Sequence, residues 1–284
     1  MVFDQSININ QYILPVEEEP SIEAFQEIIW HHYATHRRSF PWREEISPYG
    51  VVVSEIMLQQ TQTHRVAAKY QAFVDAFPNF LALAEAPFSE VLRLWKGLGY
   101  NRRAMNLQKI ATAIVKDYEA SLPRDIISLE GFAGIGKATA RSIFSFAFDA
   151  PSVFIETNIR TVFLFFFFKN RTTKVHDREI EVLVEKSLTS RPRDWYYALM
   201  DFGAMLKKAG LNLNHQSAHY KTQSKFIGSD RQLRGRILQF LLDNSPASGE
   251  LENNFVDEEP RFSRILAQLC SEGLVKKVDG LYFL

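Results

Sequence analysis

The sequence predicts a mainly α-helical protein that ends in a small α+β module of the winged-helix type. Three observations carry this. Apolar residues recur at helical spacing through most of residues 21 to 225. A glycine-rich turn, "GFAGIGKAT" at 131–139, leads into another helical stretch, "KATARSIFSF". Near residue 228 the composition changes, and the chain closes on two short strands joined at Asp279-Gly280, a strong hairpin signal.

The elements follow in order. Pro41, Pro48, Pro78, Pro87, Pro123 and Pro151 punctuate the helical region at irregular spacing. In "FSEVLRLWKGLGY", Val91, Leu94 and Trp95 share a helical face, with Ser89 as the expected cap. The run "GLGY" (97–100) breaks that helix, and "RRAMNLQKIATAIVKDY" starts the next. The longest apolar run, "TVFLFFFF" (161–168), is far too short to span a membrane and reads as a buried helix segment. "DRQLRGRILQFLLDN" puts Leu233, Ile237, Phe240 and Leu241 on one face, and "RFSRILAQLC" does the same with Phe262, Ile265, Leu266 and Leu269. Modules of this kind bind DNA or protein. Residues 228–284 are not strongly basic, so DNA binding, protein contact and fold support all stay open.

A chain of 284 residues holds two or three modest domains. Its 46% hydrophobic and 23% charged residues are ordinary for a globular protein. The 33 Lys/Arg balance 33 Asp/Glu, so no overall pull on a polyanion follows. Charge is uneven along the chain, however. Residues 1 to 24 carry Asp4, Glu17, Glu18, Glu19 and Glu23 and no Lys or Arg, whereas residues 191 to 236 carry nine Lys/Arg against Asp194, Asp201 and Asp230. A local polyanion site and a merely solvated face both fit that pattern. Cys270 is the only cysteine, which excludes an internal disulfide and any four-cysteine metal site and suits a reduced, cytoplasmic protein. "MVFDQSININ" lacks a basic start before an apolar stretch, so no signal peptide is expected.

The glycine turn admits two readings. Gly131, Gly136 and Lys137 match the spacing of an ATPase phosphate loop, G-x-x-x-x-G-K-[ST], but the hydroxyl position is Ala138. "LPRDIISLE" ahead of the turn is no buried strand. The other reading uses Gly134 and Gly136 as a tight hairpin whose glycines supply positive φ and close approach. The helix that follows then offers its N-terminal N–H groups to a phosphate. That is a helix-hairpin-helix element, which grips the DNA backbone without reading sequence.

A second constellation lies in "PWREEISPYGVVVSEIMLQQTQT" (41–63). Glu55 stands between Val51-Val52-Val53 and Ile56-Met57-Leu58, where at helical spacing it meets apolar neighbours. A half-buried carboxylate holds its proton nearer neutral pH and can act as an acid. A structural pair with an arginine such as Arg43 is the alternative.

Together "PWR" (41–43), "PYGVVVSEIMLQQTQT" (48–63), "FP" (77–78), "LWKGLGYNRRAMNLQKIA" (94–111), "GFAGIGKATARSI" (131–143), "FIETNIRTV" (154–162) and "WYYALMDFGAM" (195–205) resemble the helix-hairpin-helix DNA glycosylases, specifically the MutY-type adenine glycosylases. The resemblance runs in unbroken order over roughly residues 25 to 207. It implies a two-lobed fold: residues 1–45 and 150–227 form a terminal-helix lobe, residues 46–149 a six-helix barrel lobe with the hairpin element at 129–145, and residues 228–284 the winged-helix-like module. It implies excision of a flipped base from duplex DNA, most simply adenine in a mispair with guanine or 8-oxoguanine. Glu55 matches the general acid, and Glu156 stands where the family has the second carboxylate. Arg43, Asn158 and Ala138 match pocket positions. Gln60, Thr61 and Tyr100 match residues that enter or wedge the base stack, and Gly134, Gly136, Lys137 and Thr139 belong to the backbone-gripping hairpin.

Three departures stand out. Glu156 replaces an aspartate and is one methylene longer. The four cluster cysteines expected after "GAM" are missing from "LKKAGLNLNHQSAHYKTQSKF", so no cofactor and no iron–sulfur cluster is expected, and the hairpin leaves room for a monovalent cation. His215 and His219, four apart, could share a helix face, but no further ligand stands near. The Nudix-like domain that reads 8-oxoguanine has no counterpart in the last 57 residues. In strand-cutting relatives a lysine stands two residues after the second hairpin glycine. Here that position is Ala138, so an intact abasic product is expected. The partner implied is duplex DNA carrying a mispair or damaged base, met by a monomer in a bacterial cytoplasm, with no membrane. Excision of thymine, uracil or another damaged base on the same fold, and a non-catalytic DNA-binding role, stay open.

Overall fold

The computed structural model describes residues 20–220, 222, 224–244 and 249–284. The acidic residues 4 to 19 lie outside the described residues. The helices are α1 (Ile22–His36), α2 (Pro41–Glu44), α3 (Pro48–Leu58), α4 (Thr63–Ala76), α5 (Phe80–Glu85), α6 (Phe88–Trp95), α7 (Arg102–Asp117), α8 (Ile126–Glu130), α9 (Lys137–Phe148), α10 (Thr157–Phe167), α11 (Asp177–Lys186), α12 (Pro192–Lys208), α13 (Asp230–Asp243), α14 (Gly249–Asn254) and α15 (Arg261–Ser271). Strands β1 (Lys276–Val278) and β2 (Leu281–Phe283) follow. Among the described residues no helix is long and apolar enough to cross a membrane.

Short polar side chains start many of the helices. Ser21, Ser47, Asn79, Asp125 and Ser229 each accept a backbone N–H from the first turn of α1, α3, α5, α8 and α13. Ser89 does not play that part. The cap of α6 is Pro87, and Ser89 lies inside the helix, because a proline ahead of Phe88 already sets the entry.

The chain forms two contact units. Their boundaries fall after Ser39, after Ile135 and after Lys221. The sequence had suggested 45/46, 149/150 and 227/228. The second helix of the hairpin element, α9, therefore counts with the first unit.

The first unit holds α1 and α9 to α12, with α12 packed on α10 and α1. Its core answers for the phenylalanine run. The Phe25 ring lies 5.2, 5.1 and 5.2 Å from those of Phe163, Phe166 and Phe167, and 5.8 Å from Trp195. Such tilted and edge-on contacts add to the burial of large apolar faces. Arg38 ties α1 to α12: its N–H and Nε donate to the buried Asp201 carboxylate at 2.9 and 2.7 Å. After α12, a 3-10 turn at Leu213–Gln216 is held by Asn214, whose Nδ2 donates to Thr161 Oγ1 at 2.7 Å, and by backbone bonds between Val175 and residues 216 and 218. His215 lies in that turn and His219 beyond it, so the two do not share a helix face. The His219 ring faces His176 at 6.0 Å.

The second unit holds α2 to α8 and the C-terminal module. In the module Leu233, Ile237, Leu241, Phe262, Ile265 and Leu269 are buried together, with Phe240 partly buried against them. Leu92 of α6 and Met105 of α7 join the same cluster, so the module shares a core with the helices ahead of it. The hairpin pairs Lys276 with Phe283, and Asp279 and Gly280 take φ of +50° and +79°. Both values suit the tight primed turn that matches strand twist.

Candidate active site and DNA-facing surface

Helix α3 is apolar almost all round. Val51, Val52, Val53, Ser54, Ile56 and Met57 are buried, and Glu55 alone among residues 51 to 57 keeps partial exposure. Its carboxylate thus rises from an apolar helix, as the flanking residues predicted. Arg43 in the same unit is 5% exposed, with its guanidinium carbon 5.2 Å over the Phe40 ring.

The loop after α3 carries Gln60 and Thr61. Gln60 is exposed at φ +53°, and Tyr100, at the end of "GLGY", sits at φ +48°. Non-glycine residues held there cost on the order of 1–3 kcal/mol each and persist only where the surroundings enforce them. The enforcing residue is Arg103, which sequence reasoning missed. Its Nη1 donates to the carbonyls of Ile56, Met57 and Gln59 at 2.9, 2.8 and 2.5 Å. Its Nη2 donates to Thr61 Oγ1 at 2.9 Å and to the Leu98 and Gly99 carbonyls at 3.2 and 3.1 Å. One guanidinium therefore caps the C-terminus of α3 and joins the Gln60 and Tyr100 loops. Burial pushes it down to about 10, which leaves it charged at neutral pH.

A cleft of about 860 Å³ opens beside these loops, with Gln60, Tyr100 and Arg102 on one side and Arg231 and Gln239 of α13 on the other. Arg231 Nη1 donates to Tyr100 Oη at 2.5 Å, and its guanidinium carbon lies 5.3 Å over the ring. The module thus reaches the residue that the resemblance made a wedge. Nothing in the local sequence marks this contact, which joins positions 131 apart.

In the glycine turn, α8 rather than a strand precedes Gly131, which removes the phosphate-loop topology of an ATPase. Gly134 has φ +78°, and a Cβ there would meet Asn106 Nδ2 at 2.3 Å. Its carbonyl accepts from Gln59 Nε2 at 3.3 Å. Gly136 differs from the expectation. Its φ is −93°, so no positive φ calls for glycine there, and a Cβ would meet nothing within 4 Å. Gly136 is the N-cap of α9, and Lys137 and Ala138 are exposed in the first turn with Thr139 half-buried. An open, uncapped helix start suits an anion.

Glu156 is the N-cap of α10. Its Oε1 accepts from the N–H groups of Asn158 and Ile159 at 2.9 and 3.3 Å. Despite the extra methylene, the carboxylate reaches both N–H groups and caps the helix. Asn158 stands in the first turn, and its Oδ1 accepts from Lys207 Nζ at 2.6 Å. Lys207 was not foreseen. The one sequence signal near it is Gly203, a glycine inside a helix, which costs about 1 kcal/mol against alanine and hints at close backbone approach. Glu55 belongs to one unit and Glu156 to the other.

Cys270 is the only cysteine, and among the described residues no three of His, Cys, Asp and Glu converge.

Residues 53–189 match the HhH-GPD superfamily of base excision DNA repair proteins, a span that includes Glu55, the hairpin and Glu156. The adenine DNA glycosylase of Mycolicibacterium smegmatis is 31% identical over 285 residues, covering 93% of this chain and 96% of that protein. The chain belongs to the adenine DNA glycosylase family. The mouse member is 32% identical, covering 76% of this chain and 44% of its own. Among solved structures, a thermostable thymine-DNA glycosylase aligns with TM-score 0.59 and 26% identity, covering 70% of this chain and 96% of that one. Endonuclease III trapped covalently on DNA aligns with TM-score 0.55 over 65% of this chain and 85% of its own, at 18% identity, a likeness of fold alone. The mainly helical two-unit architecture is thus that of the helix-hairpin-helix glycosylases, with a winged-helix-like module in addition.

Proposed function

We propose that this protein removes adenine from a mispair in duplex DNA, opposite guanine or 8-oxoguanine, and leaves an intact abasic site. The observation that carries the reading is the likeness to adenine DNA glycosylases along nearly the whole chain, through Glu55, the hairpin and Glu156. The adenine leaves the stack; Arg43 in one unit and Asn158 in the other match the family's pocket positions. Glu55 gives its proton to the departing base as the bond from the sugar C1′ to the base nitrogen breaks. Glu156 stabilises the cationic sugar, and water adds to C1′ and gives up a proton that restores the Glu55 acid. Gly134, Gly136, Lys137 and Thr139 hold the backbone at the start of α9. Gln60, Thr61 and Tyr100 support the opened duplex, and Arg231 brings the module to the same face. We read the protein as a monomer working in a bacterial cytoplasm without an iron–sulfur cluster, the turn at 213–216 being tied down by Asn214 instead.

The test is a duplex panel with adenine, thymine or uracil opposite guanine, 8-oxoguanine and cytosine, scored for alkali-labile sites in single turnover. Adenine opposite guanine or 8-oxoguanine should react fastest. Loss of the proton donor in Glu55→Gln should cost about 10² to 10⁴ in rate with duplex binding kept. Wild-type turnover in that variant would remove Glu55 from the role of acid. Thymine excision is the second reading, favoured by the 26% identity with the thymine-DNA glycosylase, and preferential cleavage at thymine opposite guanine would establish it.

A further inference from the structure

We infer that Gly203 and Lys207 form a two-point clamp on α12 that positions Asn158, and through it the Glu156 carboxylate, for base excision. The inference rests on the glycosylase reading, which places Asn158 and Glu156 at the reacting sugar.

Residues 203 and 207 are four apart and share one helix face. That face is turned to the start of α10. A Cβ at Gly203 would fall 2.4 Å from the Asn158 carbonyl oxygen and 2.8 Å from its carbonyl carbon and Cβ. Real Cβ atoms do not come so close, so the backbone of Asn158 rests where only glycine admits it. One turn further on, Lys207 Nζ donates to Asn158 Oδ1 at 2.6 Å. An ammonium has donors and no acceptor. The amide must therefore turn its oxygen to Lys207 and its Nδ2 hydrogens away. Glycine sets the place of the residue, and lysine sets which end of the amide faces outward. The backbone N–H of Asn158 is also the nearer of the two that hold Glu156 Oε1, so a shift of Asn158 moves the carboxylate with it.

The ammonium is under strain of charge. Burial lowers the Lys207 pKa most; Glu156 at the head of α10 works to raise it, while Arg160 on α10 and Arg38 after α1 lower it further. Those two arginines are engaged elsewhere, with Asp177 and Asp201. Once deprotonated, the amine can accept as well as donate, and the amide is no longer forced into one orientation.

The full-length protein carries the test, in single-turnover excision on an adenine:guanine duplex across pH. Lys207→Met should slow excision at least tenfold, and Lys207→Arg should recover most of the loss. The wild-type rate should fall on an alkaline limb below the usual lysine range. That limb should move upward in the arginine variant and vanish in the methionine variant. Gly203→Ala should slow excision as Lys207→Met does. A methionine variant at the wild-type rate, or methionine and arginine variants alike in rate and pH profile, would overturn the inference. Should Lys207→Met not fold, the arginine profile and Gly203→Ala decide. A second readout needs no excision. In the ¹⁵N-labelled free protein the Asn158 side-chain amide, assigned by its loss in Asn158→Asp, should give two well-separated, slowly exchanging proton signals. They should collapse toward the random-coil position in Lys207→Met. Unchanged signals there sink the clamp, whereas a wild type inactive on adenine sinks only the glycosylase reading.

Discussion

Arg103→Leu should loosen both loops that carry the candidate base-stack residues. The native guanidinium reaches six acceptors, but Nη1 and Nη2 have only two hydrogens each, so not all six bonds are at full strength. Water can take over at the more open Gln59 and Gly99 carbonyls. The Ile56, Met57 and Leu98 carbonyls are met by Arg103 in buried surroundings and would be left without that donor. Each such carbonyl costs about 1–3 kcal/mol, and a single substitution rarely exceeds about 4–5, so a loss near about 4 kcal/mol is expected. Arg103→Lys keeps the charge without the fork and should fall between. Urea denaturation gives the stability. Affinity for a duplex bearing an uncleavable adenine analogue, measured where both proteins are folded, gives the consequence for Gln60 and Tyr100. A stability loss under about 1 kcal/mol, or unchanged affinity in a clearly destabilised variant, would show that Arg103 does not hold these loops.

Other expectations separate structure from contact. Gly134→Val should destabilise the fold, because it meets Asn106 and a φ of +78°, whereas Gly136→Val should fold normally and weaken all duplexes alike. A loss confined to one mispair would contradict a backbone grip. Borohydride should trap no covalent complex with the wild type, since Ala138 offers no amine and Lys137 stands about 100° round the helix from it. Strand cutting without alkali that disappears in Lys137→Ala would overturn this. Acid should destabilise the protein through His32, which burial, then His36, holds down to about 4 from 6.5. The folded state binds fewer protons here, so this contribution is complete above pH 6.5 and lost as pH falls toward 4. It is worth on the order of 3 kcal/mol. Urea midpoints between pH 7 and 4 should fall less steeply in His32→Leu, and equal slopes would exclude His32.

Local physics made much of the protein legible in its sequence. Periodic apolar residues placed α6, α13 and α15, an unbroken apolar run placed α10, and Asp279-Gly280 placed the terminal hairpin, because side-chain periods and turn preferences act between near neighbours. The apolar neighbours of Glu55 announced its half-buried setting for the same reason. Even so, Ser89 misled, since several local signals competed for one helix start. The tertiary structure alone decided which distant groups meet. Arg103 reaches carbonyls up to 47 residues away, Lys207 reaches Asn158 across 49, and Arg231 reaches Tyr100 across 131. Leu92 and Met105 entered the core of the C-terminal module. Gly136 kept an open helix start that needs no positive φ. A lone donor on a helix has no period and no preferred partner in sequence. Its acceptor is chosen by packing, when burial leaves a carbonyl or amide that only that donor can reach.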